Sequence, residues 1–150
     1  MLRFFSRSPR LRFFRARRDR LNRWGSELES VDAVSVVVVD DAPDFTEAIS
    51  LALSLKGYGV RTAHDGEGAL VLIEDSPPHC VILDVRMPRL DGQALAQKLR
   101  ERYRDDMVLI AISAFAPDDP VVKATFDIVD HYLRKPFDLE ELDKILPRLS

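Results

Sequence analysis

Short apolar runs alternate along this chain with stretches in which apolar positions recur every three or four residues. The first run is VSVVVV (34–39), whose four successive valines fit a strand buried on both faces. VRTA (60–63), CVIL (80–83), MVLIAI (107–112) and HYLR (131–134) are the other strand-like runs. Between them lie helical patterns. Pro43 opens the first, with Asp44 in its first turn and Phe45, Ile49, Ala52, Leu53 and Leu55 as its apolar face; Gly57 and Gly59 close it. Asp65 caps a second helix, carrying Ala69, Leu70, Leu72 and Ile73, and a third is built on Leu95, Leu99 and Tyr103. Pro120 opens a fourth, with Val121, Val122, Ala124, Phe126 and Val129. Asp138 and Glu141 have capping-box spacing at the start of a fifth, which continues through Leu142, Ile145 and Leu149. Five strands alternating with five helices predict βαβ units, a parallel sheet and an α/β fold with helices on both faces.

The polar positions that matter stand where the strands stop. The first ends in Asp40 and Asp41, the third in Asp84, the fourth in Ser113 and the fifth in Lys135. In an open parallel sheet those ends share one crevice. Carboxylates about 4 Å apart repel by roughly 4 kcal/mol at an effective dielectric near 20. The cluster therefore calls for a hard cation, and oxygen-only ligation suits magnesium. Lys135 adds a positive point charge and Ser113 a hydrogen-bond donor, so the set describes a phosphoryl-binding site that carries a carboxylate nucleophile.

Composition changes this picture at one end only. The net charge of −3 hides a division: residues 1–24 hold nine arginines against one acid, Asp19, while the remainder has 13 bases and 24 acids. GSELES (25–30) lies at the boundary, so residues 1–33 form an Arg-rich extension and linker and 34–150 the folded domain. Ser8, Pro9 and Gly25 have the positions of helix start and stop signals, with Leu11, Phe14, Leu21 and Trp24 near one face. Such a helix would lie on an anionic membrane surface through residues 1–24. The alternatives are another partner, nucleic acid among them, or an idle extension. No apolar stretch approaches the roughly 18 residues needed to cross a bilayer. One cysteine, Cys80, excludes an internal disulfide and a cysteine zinc site, and its place in an apolar run makes it a small core residue. His64, His79 and His131 have no metal-ligand spacing.

VVDD (38–41), ILDVRMPRLDG (82–92), SA (113–114) and YLRKPF (132–137) occur in the order and spacing of the response-regulator receiver domain of two-component signalling, which this chain resembles over about residues 34–149. The resemblance implies a doubly wound flavodoxin-like (βα)5 sheet with strand order 2-1-3-4-5. It implies that Asp84 is the phosphoacceptor, and that Mg2+ is bound by Asp41, Asp84 and the main-chain carbonyl of Arg86, with Asp40 acting through water. Ser113 would bond a phosphoryl oxygen, Lys135 would pair with Asp84 or its phosphate, and Tyr132 would be the aromatic that follows Ser113. The Lys135–Pro136 bond would be cis. Ile128 stands where the family usually has a helix-ending glycine.

The expected function is a cytoplasmic phosphorylation-dependent switch, not an enzyme in the turnover sense. A histidine kinase or histidine phosphotransfer protein would supply the phosphoryl group. With the chain ending at Ser150 and no DNA-binding domain in it, output would pass to a partner protein through the α4-β5-α5 surface of the family. An alternative is a magnesium-dependent aspartyl phosphatase, disfavoured because Arg86 stands two residues after Asp84, where that chemistry needs an acid. A membrane-surface adaptor working through the basic extension is the other.

Overall fold

The computed structural model describes residues 4–7, 12–14, 33–87 and 90–149. Its strands are β1 (Phe4–Ser6), β2 (Phe13–Phe14), β3 (Ser35–Val39), β4 (Gly59–Ala63), β5 (Cys80–Asp84), β6 (Val108–Ser113), β7 (His131–Arg134) and β8 (Arg148–Leu149). The helices are α1 (Pro43–Leu55), α2 (Gly66–Asp75), α3 (Gly92–Tyr103), α4 (Pro120–Thr125) and α5 (Leu139–Asp143). Five strands pair in parallel in the order β4-β3-β5-β6-β7, which is 2-1-3-4-5 counted from β3. This is the expected doubly wound order.

Alternation along the strands divides the core in two. Val37, Val39, Val81, Leu83, Leu109 and Ala111 face one side, where Ala69 and Ile73 of α2, Leu95 and Leu99 of α3 and Val122 of α4 cover them. Val36, Val38, Cys80, Ile82, Val108, Ile110 and Ile112 face the other, under Ile49 and Leu53 of α1 and Leu142 of α5. Each fully buried aliphatic side chain contributes about 1.5–3 kcal/mol, so the valine run is explained by burial on both faces. Cys80 lies within this core, and burial raises its thiol pKa.

Several boundaries differ from the sequence expectation. Leu55, expected on the apolar face of α1, is 80% exposed in the last turn. The fourth helix stops at Thr125, leaving Phe126 as its C-cap and Val129 in the turn beyond. Ile128 solves the missing-glycine problem by shortening this helix: its N–H donates to Thr125 O at 2.9 Å. Arg104 is the one described non-glycine residue with positive φ, so Ile128 stays out of the left-handed region. Asp138 occupies the N-cap of α5 without a side-chain cap bond, and the helix is only five residues long. Pro147 cannot continue a helix, and Leu149 belongs to β8 instead.

The largest departure is at the N-terminus. β1 runs antiparallel along the outer edge of β7, with Phe4, Phe5 and Ser6 opposite Leu133, Tyr132 and His131. β2 pairs in parallel with β8, and Phe14 packs on the His79 ring at 4.6 Å. Phe13 and Phe14 are extended, so the helix expected from Ser8 to Gly25 does not hold there. Phe14 spends its apolar surface on the folded domain, not on a helical stripe. Ser8, Pro9, Leu11, Leu21, Trp24, Gly25 and the GSELES linker lie outside the described residues. Among the described residues no helix is long and apolar enough to cross a membrane.

Candidate functional site

The carboxyl ends of β3, β5, β6 and β7 bring the sequence-selected side chains together. Asp40 leaves the core at the end of the valine strand and is fully buried. Its Oδ1 accepts the Ala42 N–H at 2.9 Å, which turns the chain into α1, and its Oδ2 lies 2.6 Å from Lys135 Nζ. Asp41, next in the chain, is exposed. Asp84 ends β5 and is 9% exposed. Carboxylate oxygens of Asp40, Asp41 and Asp84 all lie within 4.8 Å of one another.

Lys135 Nζ stands 3.4 Å from Asp84 Oδ2 and 4.2 Å from the centroid of the Phe45 ring, which meets Phe137 edge-on. The aromatic wall and two carboxylates hold the ammonium at the floor of the cleft. Burial pushes the Asp84 carboxyl up to about 6; Lys135 opposes the rise, Asp40 adds to it, and the Arg86 N–H, donated to Asp84 Oδ1 at 3.1 Å, opposes it. Charge is thus expensive at Asp84 unless more positive charge arrives. Three converging carboxylates with one lysine fit a divalent cation of the magnesium type: Asp41 is open to solvent, Asp84 carries the surplus charge, and both oxygens of Asp40 already have partners.

Ser113 is buried at the end of β6, and its carbonyl accepts the Lys135 N–H at 2.8 Å, tying together the two strand ends. Ser113 Oγ accepts the Phe115 N–H at 3.0 Å. The Phe115 carbonyl in turn accepts the Tyr132 hydroxyl at 3.2 Å. Tyr132 is fully buried, its ring meeting that of Phe126 edge-on at 5.2 Å. Ser113 and Tyr132 are therefore joined through the main chain of one residue. The Lys135–Pro136 bond is cis, as the resemblance implies.

Two residues make contacts that the residue order alone does not give. Arg86 is exposed, and its guanidinium is held to the loop before α4: Nη2 donates to both Asp119 oxygens, at 3.0 and 2.8 Å, and the group lies 4.7 Å from the Phe115 centroid. Asp119 also caps α4, accepting the Val121 and Val122 N–H groups, and these partners lower its pKa despite desolvation. Gly92 is the second. A Cβ there would run into the Asp84 carbonyl and the Val85 Cα, so α3 begins in direct contact with the backbone of the site. Both residues sit in the quoted ILDVRMPRLDG stretch, which shows their identity but not these contacts. The three histidines are elsewhere: His64 Nε2 lies 3.2 Å from Thr46 Oγ1, His79 Nδ1 accepts the Ser35 N–H, and His131 is buried in β7.

The family model of the response regulator receiver domain matches residues 36–147. The chain belongs to the response-regulator receiver family. It is 40% identical over 110 residues to response regulator MprA of Mycobacterium bovis, covering 73% of this chain and 47% of that protein. It thus spans about half the length of the curated relatives it matches. Among solved structures it resembles the response regulator TrrA of Thermotoga maritima in complex with Mg2+-BeF, with TM-score 0.64 and 31% identity over 73% of this chain and 93% of that one. Chemotaxis protein CheY4 of Vibrio cholerae superposes with TM-score 0.65 at 25% identity, over 76% and 99% of the two chains. The two solved structures share the doubly wound fold of this chain.

Proposed function

We propose that this chain is a phosphorylation-dependent switch in which Asp84 takes a phosphoryl group from a histidine kinase or histidine phosphotransfer protein and a partner protein reads the result. The observation that carries this is the convergence of Asp40, Asp41 and Asp84 on one another at the strand ends, with Lys135 on Asp40 and Asp84. The relative with bound Mg2+-BeF supports the same chemistry. Asp41, Asp84 and the Arg86 main-chain carbonyl would hold Mg2+, with Asp40 acting through water. The cation's role is to neutralise the phosphoryl oxygens and the acid cluster.

Asp84 is the nucleophile: its carboxylate oxygen attacks phosphorus and the donor's leaving group departs with the old bonding pair. Lys135 pairs with the new phosphate oxygens, and Ser113 donates its hydroxyl to one of them. Phosphorylation adds about −1.5 to −2 charge at the cleft. Ser113 moves toward it, and Phe115 carries the shift to Tyr132 and the surface formed by α4, β7 and α5. Loss of the phosphate is hydrolysis at the same site. Turnover of an external phosphate ester is disfavoured, because Arg86 stands where a proton donor would be needed and is engaged by Asp119.

The protein acts in the cytoplasm on this reading. For the basic extension, attraction to an anionic membrane surface would rest on its nine arginines, since Phe14 is committed to the fold. Salt-sensitive co-sedimentation with anionic vesicles tests that part.

The test of the switch is uptake of label from a small phosphodonor. Wild type should incorporate up to one phosphate per chain in a magnesium-dependent reaction, and Asp84→Asn none. Equal labelling with and without EDTA, or in Asp84→Asn, removes the proposal.

A further inference from the structure

β7 would end the sheet if β1 were absent. One side of it pairs with β6, and the other would expose a row of main-chain donors and acceptors, the arrangement that binds an extended peptide by strand addition. In this chain that row is taken by Phe4–Ser6 in antiparallel register. Phe5 stacks on Phe126 at 5.2 Å with an interplanar angle of 17°, and Phe126 meets the Tyr132 ring. Beyond the strand, the Arg7 N–H donates to Asp130 O at 2.8 Å and Arg7 Nη1 to Asp127 O at 2.6 Å. The pairing thus has a strand, an aromatic anchor and a basic residue on the carbonyls of an acidic turn.

We propose that the outer edge of β7, with the Phe126 ring beside it, is a docking surface for an extended aromatic-bearing strand, occupied in cis by residues 4–7, so that the leader competes with any partner strand for that edge. The occupant is short. It consists of three paired residues and one stacked aromatic pair.

The same contact is placed to respond to Asp84, a step that rests on the switch reading above. Ser113 Oγ, the Phe115 main chain, the Tyr132 hydroxyl and ring, the Phe126 ring and the Phe5 ring form one continuous series. Any movement of Ser113 alters the seat of Phe126 and hence the hold on Phe5. The leader is then a strap over the output edge whose grip differs between the two states of the cleft.

The experiment uses full-length wild type, Phe5→Ala and the milder Arg7→Ala, with amide hydrogen exchange and a fluorescent synthetic peptide of residues 1–14 as probe. Phe5→Ala should speed exchange of the outward-facing amides of His131–Arg134 at least tenfold, with Arg7→Ala shifting them in the same direction. The amides of Val108–Ser113 should keep their protection, showing that the domain stays folded. The peptide should bind Phe5→Ala and not wild type, whose edge is filled. Unchanged β7 exchange in both variants, or peptide binding equal for wild type and Phe5→Ala or absent from both, overturns the docking surface. Magnesium with beryllofluoride should change exchange of the outward β7 amides at least fivefold in wild type and not in Asp84→Asn. If the Val85 and Arg86 amides respond while β7 does not, the coupling falls and the switch reading stands. If neither responds, the switch reading fails and the coupling with it, while the docking surface is still decided by Phe5→Ala and the peptide.

Discussion

Lys135 Nζ lies closer to Asp40, at 2.6 Å, than to Asp84, at 3.4 Å. The buried acid that is not the proposed phosphoacceptor thus holds the lysine, and the phosphoacceptor is left partly uncompensated, in line with its raised pKa. Such an arrangement keeps Asp84 available to a cation or a phosphoryl group while Lys135 waits within reach.

Asp40 and Asp41, adjacent in the chain, should therefore behave differently. Lys135→Met leaves Asp40 buried without its counter-ion and should cost the metal-free protein roughly 2–4 kcal/mol in urea unfolding. Asp41→Ala removes an exposed carboxylate and should leave stability within about 0.5 kcal/mol while abolishing magnesium-dependent labelling. A large loss of stability in Asp41→Ala would contradict this division.

His131 supplies the pH dependence. Burial lowers its pKa, with Asp130 opposing, and its Nδ1 has no hydrogen-bond partner among the described residues. The native state therefore binds fewer protons than the unfolded chain once pH drops toward the ordinary histidine value near 6.5. Its contribution to stability is complete above that value and is lost as pH falls through it toward the lower native pKa. Wild type should lose stability relative to His131→Gln between pH 7 and 5. Parallel unfolding free energies over that range would show that His131 titrates alike in the folded and unfolded chain, against the lowered native pKa.

Gly92 tests how tightly α3 is set against the site. Gly92→Ala forces Cβ against the Asp84 carbonyl, which is main chain and cannot rotate away. Overpacking of this kind should cost about 1–3 kcal/mol and slow phosphoryl uptake by displacing the segment that presents Asp84. Gly68→Ala is the control, because there Cβ would meet only the Asp65 side chain, at 3.1 Å.

The central fold was legible because each of its signals repeats. Unbroken apolar runs mark strands covered twice, and the acids, serine and lysine follow those runs without interruption, so the strand ends locate the cleft. What the residues could not disclose was pairing at a distance. Phe4 and Phe5 gave an apolar pair in a basic leader, and only the open edge of β7 makes a strand of them. At Phe13 and Phe14 the helical spacing misled because periodicity counts spacing and not competitors; β8 and His79 offer Phe14 a better apolar surface than water. The early ends of α4 and α5 leave buried Val129 and Leu146 to fill the core from the segments that follow.

Arg86 and Asp119 form an ion pair beside the cleft. The guanidinium is held by both Asp119 oxygens and by the Phe115 ring, so it is parked against the loop before α4 and not over Asp84. Asp119→Asn retains an oxygen for the α4 cap but removes the charge that holds Arg86. The freed guanidinium then reaches the cleft and attracts an anionic donor. Labelling by a small phosphodonor should rise roughly two- to fivefold, equivalent to about 0.4–1 kcal/mol at 25 °C, and the gain should shrink with added salt. Adding Arg86→Ala to Asp119→Asn should cancel it. If the double variant keeps the faster rate, the effect arises from α4 and not from the arginine.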